Sequence, residues 1–382
     1  MQDHRSEGWD PLQTSRLPRR VAVVGAGIAG LTCARELRLR GCEAVVFEAG
    51  ERVGGRCSSR SPRVGLFDDG AQSISGATRL AVHVVQAPGE LAALHPWTVA
   101  ATPAEEERSN QAWNKAQDEA DVTRTLKLVG AVGVPSMAAL ADALARPLQV
   151  RLNTPIVQAR RRGSRWVLSG CAGEIEDDFQ ALVLAIPAPL ALPLVRESAE
   201  LSAALRAVRY RSRWVLLLGS ERPVPLPGYL EFEGSPIERV AAMHGKPGRL
   251  ASGPQRWFIE ADERWSMQHA HDDAETVAEL LLENFRSHAG RPVTPNFLQA
   301  YEWRHAFVEM PAATPRRTEC LFDDEVQLGV CGDSVVPSRV DSVHRSGVDM
   351  ARAVAEGLTY RRERHAIGAV VRDLGQLLEA QL

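Results

Sequence analysis

The first fifty residues combine two apolar runs with a glycine-rich turn and a helical stripe. Residues 21–24 are all apolar and predict a buried strand. Apolar positions then recur at helical spacing over residues 28–39, and a second apolar run at residues 43–47 ends at Glu48. Strand, turn, helix and strand in this order are typical of a βαβ unit with parallel strands.

Short apolar runs and helical stripes continue through the rest of the chain. Strands are predicted at residues 125–129, 148–152, 156–160, 165–168, 179–185, 214–218, 256–261, 299–306 and 325–330. Helices are predicted at residues 137–145, 201–209 and 274–288, and from about residue 343 onward. Residues 73–97 also have helical spacing, whereas residues 130–135 predict a turn and Ser136 suits the N-cap of the next helix.

These elements predict an α/β protein with two interleaved domains. At 382 residues the chain is long enough for two hydrophobic cores. The strands between residues 148 and 185 predict a meander that returns to the first sheet, so each domain is discontinuous. The expected division is a disordered leader at 1–19, a nucleotide-binding domain at 20–75, 137–190 and 307–360, an α+β substrate domain at 76–136 and 191–306, and a C-terminal helix at 361–382.

The glycine-rich turn predicts a phosphate-binding site. Gly25 permits a tight turn, Gly27 leaves room for a pyrophosphate against the backbone, and Gly30 lets the helix pack closely on the strand. The N-terminus of the helix offers unpaired N–H donors and a positive partial charge. Glu48, at the end of the second strand, is placed to accept hydrogen bonds from a ribose. Together these features predict a dinucleotide site.

Three further motifs indicate which dinucleotide is expected. They are Ala-Gly-Glu-Arg-Val-Gly-Gly-Arg at 49–56, Asp-Asp-Gly-Ala-Gln at 68–72 and Cys-Gly-Asp at 331–333. In this order they resemble the flavoprotein family that contains the amine oxidases and the renalases. The resemblance implies bound FAD and a two-domain, Rossmann-like fold of the amine oxidase and p-hydroxybenzoate hydroxylase type.

The resemblance also implies a role for each motif. Residues 54–56 would approach the pyrophosphate, residues 69–72 would pass the isoalloxazine, and Asp333 would contact the ribityl chain. Cys57 and Cys331 lie in no attachment motif, so non-covalent FAD is expected. The residues expected to bind FAD are Gly25, Gly27, Ile28, Ala29, Gly30, Glu48, Ala49, Gly55, Arg56, Gly70, Ala71, Gln72, Ile156, Val157, Gly332, Asp333, Arg339, Val340 and Val343.

Motifs in the second half of the chain resemble the bacterial renalases. They are Tyr-Arg-Ser-Arg-Trp at 210–214, Ser-Pro-Ile at 235–237, Lys-Pro-Gly-Arg at 246–249, Trp-Arg-His-Ala at 303–306, Ser-Arg-Val at 338–340 and Ser-Gly at 346–347. That family implies an oxidase that takes hydride from dihydronicotinamide dinucleotides reduced at ring positions 2 or 6. The electrons would pass to O₂, and the products would be NAD(P)⁺ and hydrogen peroxide.

Hydride transfer from an electron-rich ring to a flavin needs no proton removed from carbon, so positioning residues are expected rather than an acid–base pair. The expected wall opposite the flavin consists of Gln72, Trp303, His305 and Arg339. The Val343 amide, near the start of a helix, is expected to face flavin N1, where negative charge accumulates on reduction.

The FAD motifs are also compatible with further classes of flavoprotein on the same fold. A flavin amine oxidase shares these motifs, but that class typically places a lysine, through water, at flavin N5. The chain has three lysines, Lys115, Lys127 and Lys246, and none is expected to be well placed for that role. Further alternatives are an aromatic hydroxylase that uses NAD(P)H, a secondary-metabolite oxidase or monooxygenase and, ranked below these, a flavin-binding protein without turnover.

The resemblance implies a small-molecule substrate and O₂ as partners, and composition argues against nucleic acid and membrane. The net charge of −3 lacks the basic footprint of a nucleic-acid-binding protein. The most apolar long run, at 182–195, is interrupted by prolines and is shorter than the ~20 residues needed to span a bilayer, so no membrane association is expected. Six scattered cysteines predict reduced thiols in a cytoplasmic protein, and no metal site is expected.

Overall fold

The computed structural model describes residues 19–74, 93–100, 126–250, 253–314 and 318–379. The predicted leader lies outside the described residues except for Arg19, which begins the first strand. Much of the first substrate-domain segment, at 76–92 and 101–125, also lies outside them. Two large sheets dominate the described part, one mainly parallel and one antiparallel, and the predicted α/β class is confirmed.

The elements follow the predicted order along the chain. The strands are β1 (Arg19–Val24), β2 (Cys42–Phe47), β3 (Ser59–Arg60), β4 (Phe67–Asp68), β5 (Ala93–Ala100), β6 (Leu126–Val134), β7 (Gln149–Arg151), β8 (Ile156–Arg162), β9 (Arg165–Gly170), β10 (Gly173–Phe179), β11 (Ala181–Leu184), β12 (Arg209–Ser220), β13 (Tyr229–Glu231), β14 (Ile237–Ala242), β15 (Gln255–Ala261), β16 (Pro295–Met310), β17 (Leu321–Asp323) and β18 (Leu328–Val330). The helices are α1 (Ile28–Leu39), α2 (Ala138–Ala145), α3 (Ala188–Ala191), α4 (Ala199–Ala207), α5 (Glu263–Gln268), α6 (Ala274–Ala289) and α7 (Val340–Glu379), and Leu192–Leu194 and Met243–Gly245 form 3₁₀ turns.

The first sheet has six strands in the order β17-β18-β11-β1-β2-β7. Neighbouring strands are parallel except β17 and β18. Within it, Val21 of β1 lies opposite Ala44 of β2 and Ala181 of β11. Val21 enters one buried cluster, whereas Ala22 enters a second cluster on the other face of the sheet. Burial on both faces explains why this strand is a continuous apolar run rather than an alternating one.

Helix α7 returns the end of the chain to the start of helix α1. The two helices pack against each other, and Leu31 of α1 lies in the same buried cluster as Met350 and Val354 of α7. Their backbones approach closely at Gly347, where a Cβ atom would collide with the carbonyl oxygen of Ala29. The late segment is therefore held beside the glycine-rich turn.

The second sheet is antiparallel, with strands in the order β13-β14-β15-β12-β16. Helix α6 covers one face, where its Val277 and Phe285 join Leu216 of β12 in a buried cluster. On the opposite face, Val215 and Leu217 of β12 join the cluster that contains helix α1. The inner face of this sheet therefore packs toward the nucleotide-binding segments.

The predicted meander is a separate sheet, not an extension of the first one. Strands β8, β9 and β10 form three antiparallel strands, while β7 and β11 on either side of them in sequence join the parallel sheet. The predicted strand at 179–185 is divided, because β10 ends at Phe179 and β11 begins at Ala181. Trp166 of β9 donates from Nε1 to the carbonyl oxygen of Val326 at 2.9 Å and so attaches this sheet near β18.

Two predictions before helix α2 are wrong. The helical spacing predicts a helix at Trp97, but this residue lies on strand β5. A turn is predicted at residues 130–135, but residues 130–134 are the end of strand β6. The two strands pair along their length, with His95 opposite Val132. Cross-strand pairing therefore overrides the helical spacing of the local sequence.

The N-cap prediction for helix α2 is also wrong. The cap residue is Met137 rather than Ser136, and it has no side-chain cap. Asp68 instead accepts a hydrogen bond from the Met137 amide at 2.9 Å, and the Ser59 hydroxyl accepts one from the Ala138 amide at 3.2 Å. Side chains distant in sequence thus satisfy the first amides of the helix.

Helix α7 begins at Val340, before the predicted start near residue 343. It continues without a break to Glu379, so the predicted C-terminal helix is its continuation rather than a separate element. Within the described ranges, no helix combines the length and the apolar character needed to cross a membrane.

Candidate functional site

The glycine-rich turn has two crowded positions and one open position. A Cβ at Gly25, where φ is +104°, would lie 2.6 Å from the carbonyl oxygen of Ala185. A Cβ at Gly30 would collide with the carbonyl oxygen of Gly25. At Gly27, no atom lies within 4 Å of the Cβ position. The open space is therefore where the predicted pyrophosphate requires close access to the backbone.

Helix α1 starts directly at this open space. Gly27 is its N-cap and has no side-chain hydrogen bond, and the first turn carries no acidic residue. Ile28 and Ala29 form the beginning of the helix, where amide N–H groups and the positive end of the helix dipole favour an anion. An uncapped helix start beside open space fits a phosphate group.

Glu48 anchors the opposite side of the turn. Its Oε2 accepts from the Ala26 amide at 2.8 Å, and its Oε1 accepts from the Gly50 amide at 2.8 Å. Ala49 lies between Glu48 and Gly50, so the chain folds back over the carboxylate. Each carboxylate oxygen can accept a second hydrogen bond, which leaves capacity for a ribose hydroxyl.

Ile156 and Val157, both expected to bind FAD, follow a loop that is bonded to the segment at Glu48. The Thr154 amide donates to the Glu48 carbonyl oxygen at 2.8 Å, and the Asn153 amide donates to Gly50 at 2.9 Å. These bonds hold the start of strand β8 beside the predicted ribose site. Ile156 is half-buried, whereas 52% of Val157 is exposed.

The segment at 49–56 packs onto the glycine-rich turn. Gly54 forms a β-bridge with Gly27, and its amide donates to Ala26 at 2.8 Å. A Cβ at Gly55, where φ is +54°, would lie 3.5 Å from the Cα of Gly27. The segment that ends in Arg56 therefore runs alongside the open space at the helix start.

The motif at 68–72 packs onto the segment at 49–56. A Cβ at Gly70 would collide with the carbonyl oxygen of Arg56, and the Ala71 amide donates to that same oxygen at 2.8 Å. Gly332, where φ is +92°, lies against Ala29 of helix α1. The motifs predicted from the sequence to bind one cofactor thus meet along a single line.

Arg56 and Asp333 form a bidentate ion pair at the centre of that line. Arg56 Nη2 donates to Asp333 Oδ1 at 2.7 Å, and Arg56 Nη1 pairs with Oδ2. Tyr210 donates to Oδ1 at 3.1 Å and Ser338 donates to Oδ2 at 2.7 Å. The Asp333 carboxylate therefore accepts four hydrogen bonds within the protein, and a ribityl hydroxyl would have to replace one of these donors.

Gln72 faces its own turn rather than an open crevice. Its Nε2 donates to the carbonyl oxygens of Asp68 and Gly70, both at 2.8 Å, and its Oε1 accepts from Lys246 at 2.8 Å. With the side chain buried and these partners in place, Gln72 shapes residues 69–72 from behind. Its expected place in the wall opposite the flavin stays a prediction.

Trp303 contacts the same turn from strand β16. Its Nε1 donates to the carbonyl oxygen of Asp69 at 3.0 Å, and the Tyr301 hydroxyl donates to that oxygen as well. Arg60 pairs with the Asp69 carboxylate and lies 4.5 Å from the centre of the Tyr301 ring. Two aromatic side chains of the second sheet thus hold the turn expected beside the isoalloxazine.

His305 lies two residues further along β16. Its carbonyl oxygen accepts from Arg56 Nη1 at 2.8 Å, and its ring packs edge-on against Tyr210 with 5.3 Å between ring centres. Burial, aided by the charge of Arg56, lowers the pKa of His305 below its usual range. The imidazole is therefore neutral at pH 7.

Arg339 and Val343 lie at the start of helix α7. Arg339 is largely exposed, with its Nε 3.7 Å from Asp341. The Val343 amide donates to the carbonyl oxygen of Arg339 at 3.0 Å. Because the helix begins at Val340, this amide belongs to the helix ladder, and its expected contact with N1 stays a prediction.

Lys246, which is not expected from the sequence to be well placed at flavin N5, has a fully buried side chain. Its Nζ contacts both Gln72 and Asp68. Burial lowers the pKa of Lys246 to about 8, although the Asp68 carboxylate opposes this shift. Lys115 and Lys127 have no described side chains.

Several side chains at this site are not predicted from the sequence. Tyr210 and Arg249 lie within motifs that carry the resemblance, yet the motifs assign no role to them. A scarce lysine in a Gly/Pro loop is the available signal for Lys246, and alternate inward positions on a strand containing Trp303 are the signal for Tyr301. In the described ranges, no group of three His, Cys, Asp or Glu side chains could hold a metal ion.

Comparisons with known proteins agree with this arrangement. Residues 23–86 match the family of NAD(P)-binding Rossmann-like domains. Over 59 residues, 15% of this chain and 12% of the relative, the chain is 46% identical to protoporphyrinogen oxidase 2 of Arabidopsis thaliana. Over 48 residues, 13% of this chain and 9% of the relative, it is 50% identical to an L-amino acid oxidase of Cerastes cerastes. The matched segments thus span no more than 12% of the length of these two relatives.

A solved structure extends the likeness beyond the first motif. Cyclohexylamine oxidase from Brevibacterium oxydans IH-35A superposes with a TM-score of 0.64 over 90% of this chain and 100% of that chain, at 13% identity. At this identity the superposition concerns the fold alone. The chain therefore shares its fold with cyclohexylamine oxidase and matches a Rossmann-like nucleotide-binding domain near its start.

Proposed function

We propose that this protein is an FAD-dependent oxidase that takes hydride from a small-molecule donor and passes the electrons to O₂. The observation that carries the proposal is the continuity of one line of motifs. It runs from the open position at Gly27, past the ion pair of Arg56 and Asp333, to the turn at Asp69 held by Trp303. A dinucleotide with a reactive ring at its far end has this extended shape.

Three parts of the chain would hold FAD. The start of helix α1 and Gly27 would bind the pyrophosphate, and Glu48 would bind the ribose. Residues 69–72 would line one side of the isoalloxazine. We propose non-covalent binding. Cys57, the thiol that follows Arg56 in the chain, is buried, and burial raises its pKa to about 12, so it is a neutral thiol and a poor nucleophile.

When bound, FAD would supply hydride acceptance and the transfer of electrons to O₂. The protein would contribute orientation and charge stabilisation. Tyr301 and Trp303 fix the Asp69 carbonyl and hence the turn beside the ring. The first amides of helix α7, together with the positive end of its dipole, would stabilise negative charge near them. His305 stays neutral and contributes no competing charge.

For the electron donor, we propose dihydronicotinamide dinucleotides reduced at ring positions 2 or 6. Such a donor gives up hydride without loss of a proton from carbon. This agrees with a site whose carboxylates are committed to other partners: Asp333 accepts four hydrogen bonds and Asp69 pairs with Arg60. The renalase-like motifs of the second half of the chain support the same donor.

An amine donor is the second candidate, and one observation favours it. Lys246 is buried and bonded to Gln72, the last residue of the turn beside the expected flavin. In flavin amine oxidases a lysine works next to the flavin, and a buried lysine bonded to this turn suits that role.

Anaerobic rapid mixing of the flavin-loaded protein separates the candidates. The donors are ordinary NADH, its 2- and 6-dihydro isomers, and a panel of primary amines that includes cyclohexylamine and putrescine. Rapid bleaching of the flavin by the dihydro isomers alone is the expected result. Bleaching by amines alone would select the second candidate, and bleaching by no donor would contradict oxidase activity on either class.

A further inference from the structure

Lys246 links the second sheet to the turn beside the expected flavin. It follows the 3₁₀ turn Met243–Gly245 at the end of strand β14, and its side chain is fully buried. Its Nζ donates to Gln72 Oε1 at 2.8 Å and to Asp68 Oδ2 at 3.1 Å, and lies 4.9 Å from the centre of the Trp97 ring. Gln72 and Asp68 belong to the motif at 68–72 and Trp97 belongs to strand β5, so one ammonium group connects two separate segments.

The Asp68 carboxylate does not require the positive charge of Lys246 for its neutralisation. Asp68 also pairs with Arg249 and accepts hydrogen bonds from the Ser59 hydroxyl at 2.8 Å and the Met137 amide at 2.9 Å. The enclosed cluster thus contains one carboxylate and two cations. Burying a surplus charge lowers stability, so the Asp68 carboxylate alone does not account for the lysine.

What Lys246 does fix is the orientation of the Gln72 amide. With Oε1 held by the ammonium group, Nε2 must point toward the carbonyl oxygens of Asp68 and Gly70, each 2.8 Å away. A rotation of the amide by half a turn would set its NH₂ group against the lysine and its oxygen against two carbonyls. Lys246 therefore selects the amide orientation in which Gln72 donates to both carbonyl oxygens of the turn.

When Gln72 bonds both carbonyl oxygens, residues 69–72 also present fixed groups to the second sheet. The Asp69 carbonyl, between the two carbonyls held by Gln72, accepts from Tyr301 and from Trp303. Gly70 packs against the carbonyl oxygen of Arg56. We propose that Lys246 is a positioning residue that acts through Gln72 to hold residues 69–72 in the shape that receives the flavin. The part that concerns the flavin rests on the proposed function, and it holds for either class of donor.

The cluster around Lys246 has one group that changes charge near pH 8. Burial lowers the pKa of Lys246 to about 8. Burial raises the pKa of Cys57 to about 12, so that thiol stays neutral. Burial would also raise the pKa of Asp68, but Lys246 and Arg249 outweigh it and hold that pKa below its usual range, so Asp68 stays charged. The link to Gln72 is therefore expected to weaken as pH rises through about 8.

Two variants test the link, and a third is a matched control. Lys246→Met removes the ammonium group and leaves Arg249 paired with Asp68. Gln72→Met removes the amide through which the lysine is proposed to act. Arg256→Met removes another buried cation, which donates to the carbonyl oxygen of Leu250 at 2.9 Å and so holds the same loop without touching Gln72.

The first readout is FAD affinity and the visible flavin band of the loaded protein between about pH 6 and about pH 10. Loss of one charged hydrogen bond predicts an FAD dissociation constant raised about tenfold in Lys246→Met and in Gln72→Met. The double variant is expected to be no worse than either single one. Wild type and Arg256→Met should show a band shift with an apparent pKa of about 8, and Lys246→Met should lack it.

The second readout needs no flavin and keeps the proposal testable if the proposed function fails. It is the free energy of unfolding of the apoprotein in the same double-mutant cycle. Non-additive effects of Lys246→Met and Gln72→Met support the link, and additive effects overturn it. A wild-type protein that binds no FAD would refute the proposed function alone, whereas FAD binding and a pH-dependent band unchanged in Lys246→Met would refute the positioning role alone.

Discussion

Arg56 donates to both carboxylate oxygens of Asp333, although 277 positions separate the two residues in the chain. The pair joins the segment after β2 to the segment after β18 and fixes the spacing between two motifs expected to hold one cofactor. Tyr210 and Ser338 complete the hydrogen bonding of the carboxylate. Asp333 is thus a structural centre of the site as well as a predicted ligand.

Replacing Asp333 by asparagine should therefore affect folding as well as binding. An amide cannot accept from all four donors, and the Arg56 guanidinium loses its counter-charge. We expect a loss of about 3–5 kcal/mol in the free energy of unfolding, measured by urea denaturation. Ser338→Ala removes one neutral donor and should cost only about 1 kcal/mol. Equal losses in the two variants would contradict the central role of the ion pair.

Two glycines of the same turn should respond differently to alanine. Gly27 has φ of −74° and open space at the Cβ position, so Gly27→Ala should fold normally but obstruct the pyrophosphate. We expect FAD affinity to fall at least tenfold with an unchanged melting temperature. Gly30→Ala forces a methyl group into the carbonyl oxygen of Gly25 and should cost roughly 3 kcal/mol or more of stability. Normal FAD binding by Gly27→Ala would refute the assigned phosphate site.

The Asp69 turn should depend on its two aromatic donors together. Tyr301→Phe and Trp303→Phe each remove one donor to the same carbonyl oxygen, and the remaining donor still satisfies it. Each single variant should therefore lose about 1 kcal/mol or less, and the double variant should lose more than the sum. Flavin fluorescence and urea denaturation measure the two effects. Strictly additive losses would contradict the shared acceptor.

Acid should weaken the fold partly through Asp68. Because its pKa in the folded protein lies below the ordinary value of 3.8, its stabilising contribution is fully present above that value and is lost as pH falls through the folded pKa. The difference in unfolding free energy between wild type and Asp68→Asn should therefore shrink below about pH 4. Ser59→Ala, which keeps the carboxylate, should preserve this acid dependence. A constant difference down to about pH 2 would contradict the assigned ion pairs.

The parallel sheet could be predicted from the sequence because its signals are local. The apolar run at 21–24, the glycine spacing and the helical stripe at 28–39 need no information from elsewhere in the chain. Strand β5 could not be predicted in this way, because it pairs with residues of β6 that lie 26 to 41 positions away in the chain. The start of helix α2 could not be predicted for the same reason, since Asp68 and Ser59 satisfy its first amides.

The residues of the candidate site also divide into those with local sequence signals and those that depend on distant contacts. Motif order was enough to predict that Gly27, Arg56 and Asp333 would lie along one line. The sequence could not indicate that Gln72 turns toward Lys246, because this contact joins residues 174 positions apart and depends on how β14 ends. Surface exposure of Arg339 likewise depends on where helix α7 begins.

The central claim is that one FAD molecule binds along the line from Gly27 to the Asp69 turn. The most direct test is to load the purified protein with FAD, remove the excess, and identify and quantify the flavin released by acid denaturation. The account predicts one FAD per chain, released intact and without a covalent link to a peptide. A protein that stays colourless after reconstitution, or that retains flavin only on the denatured polypeptide, would contradict it.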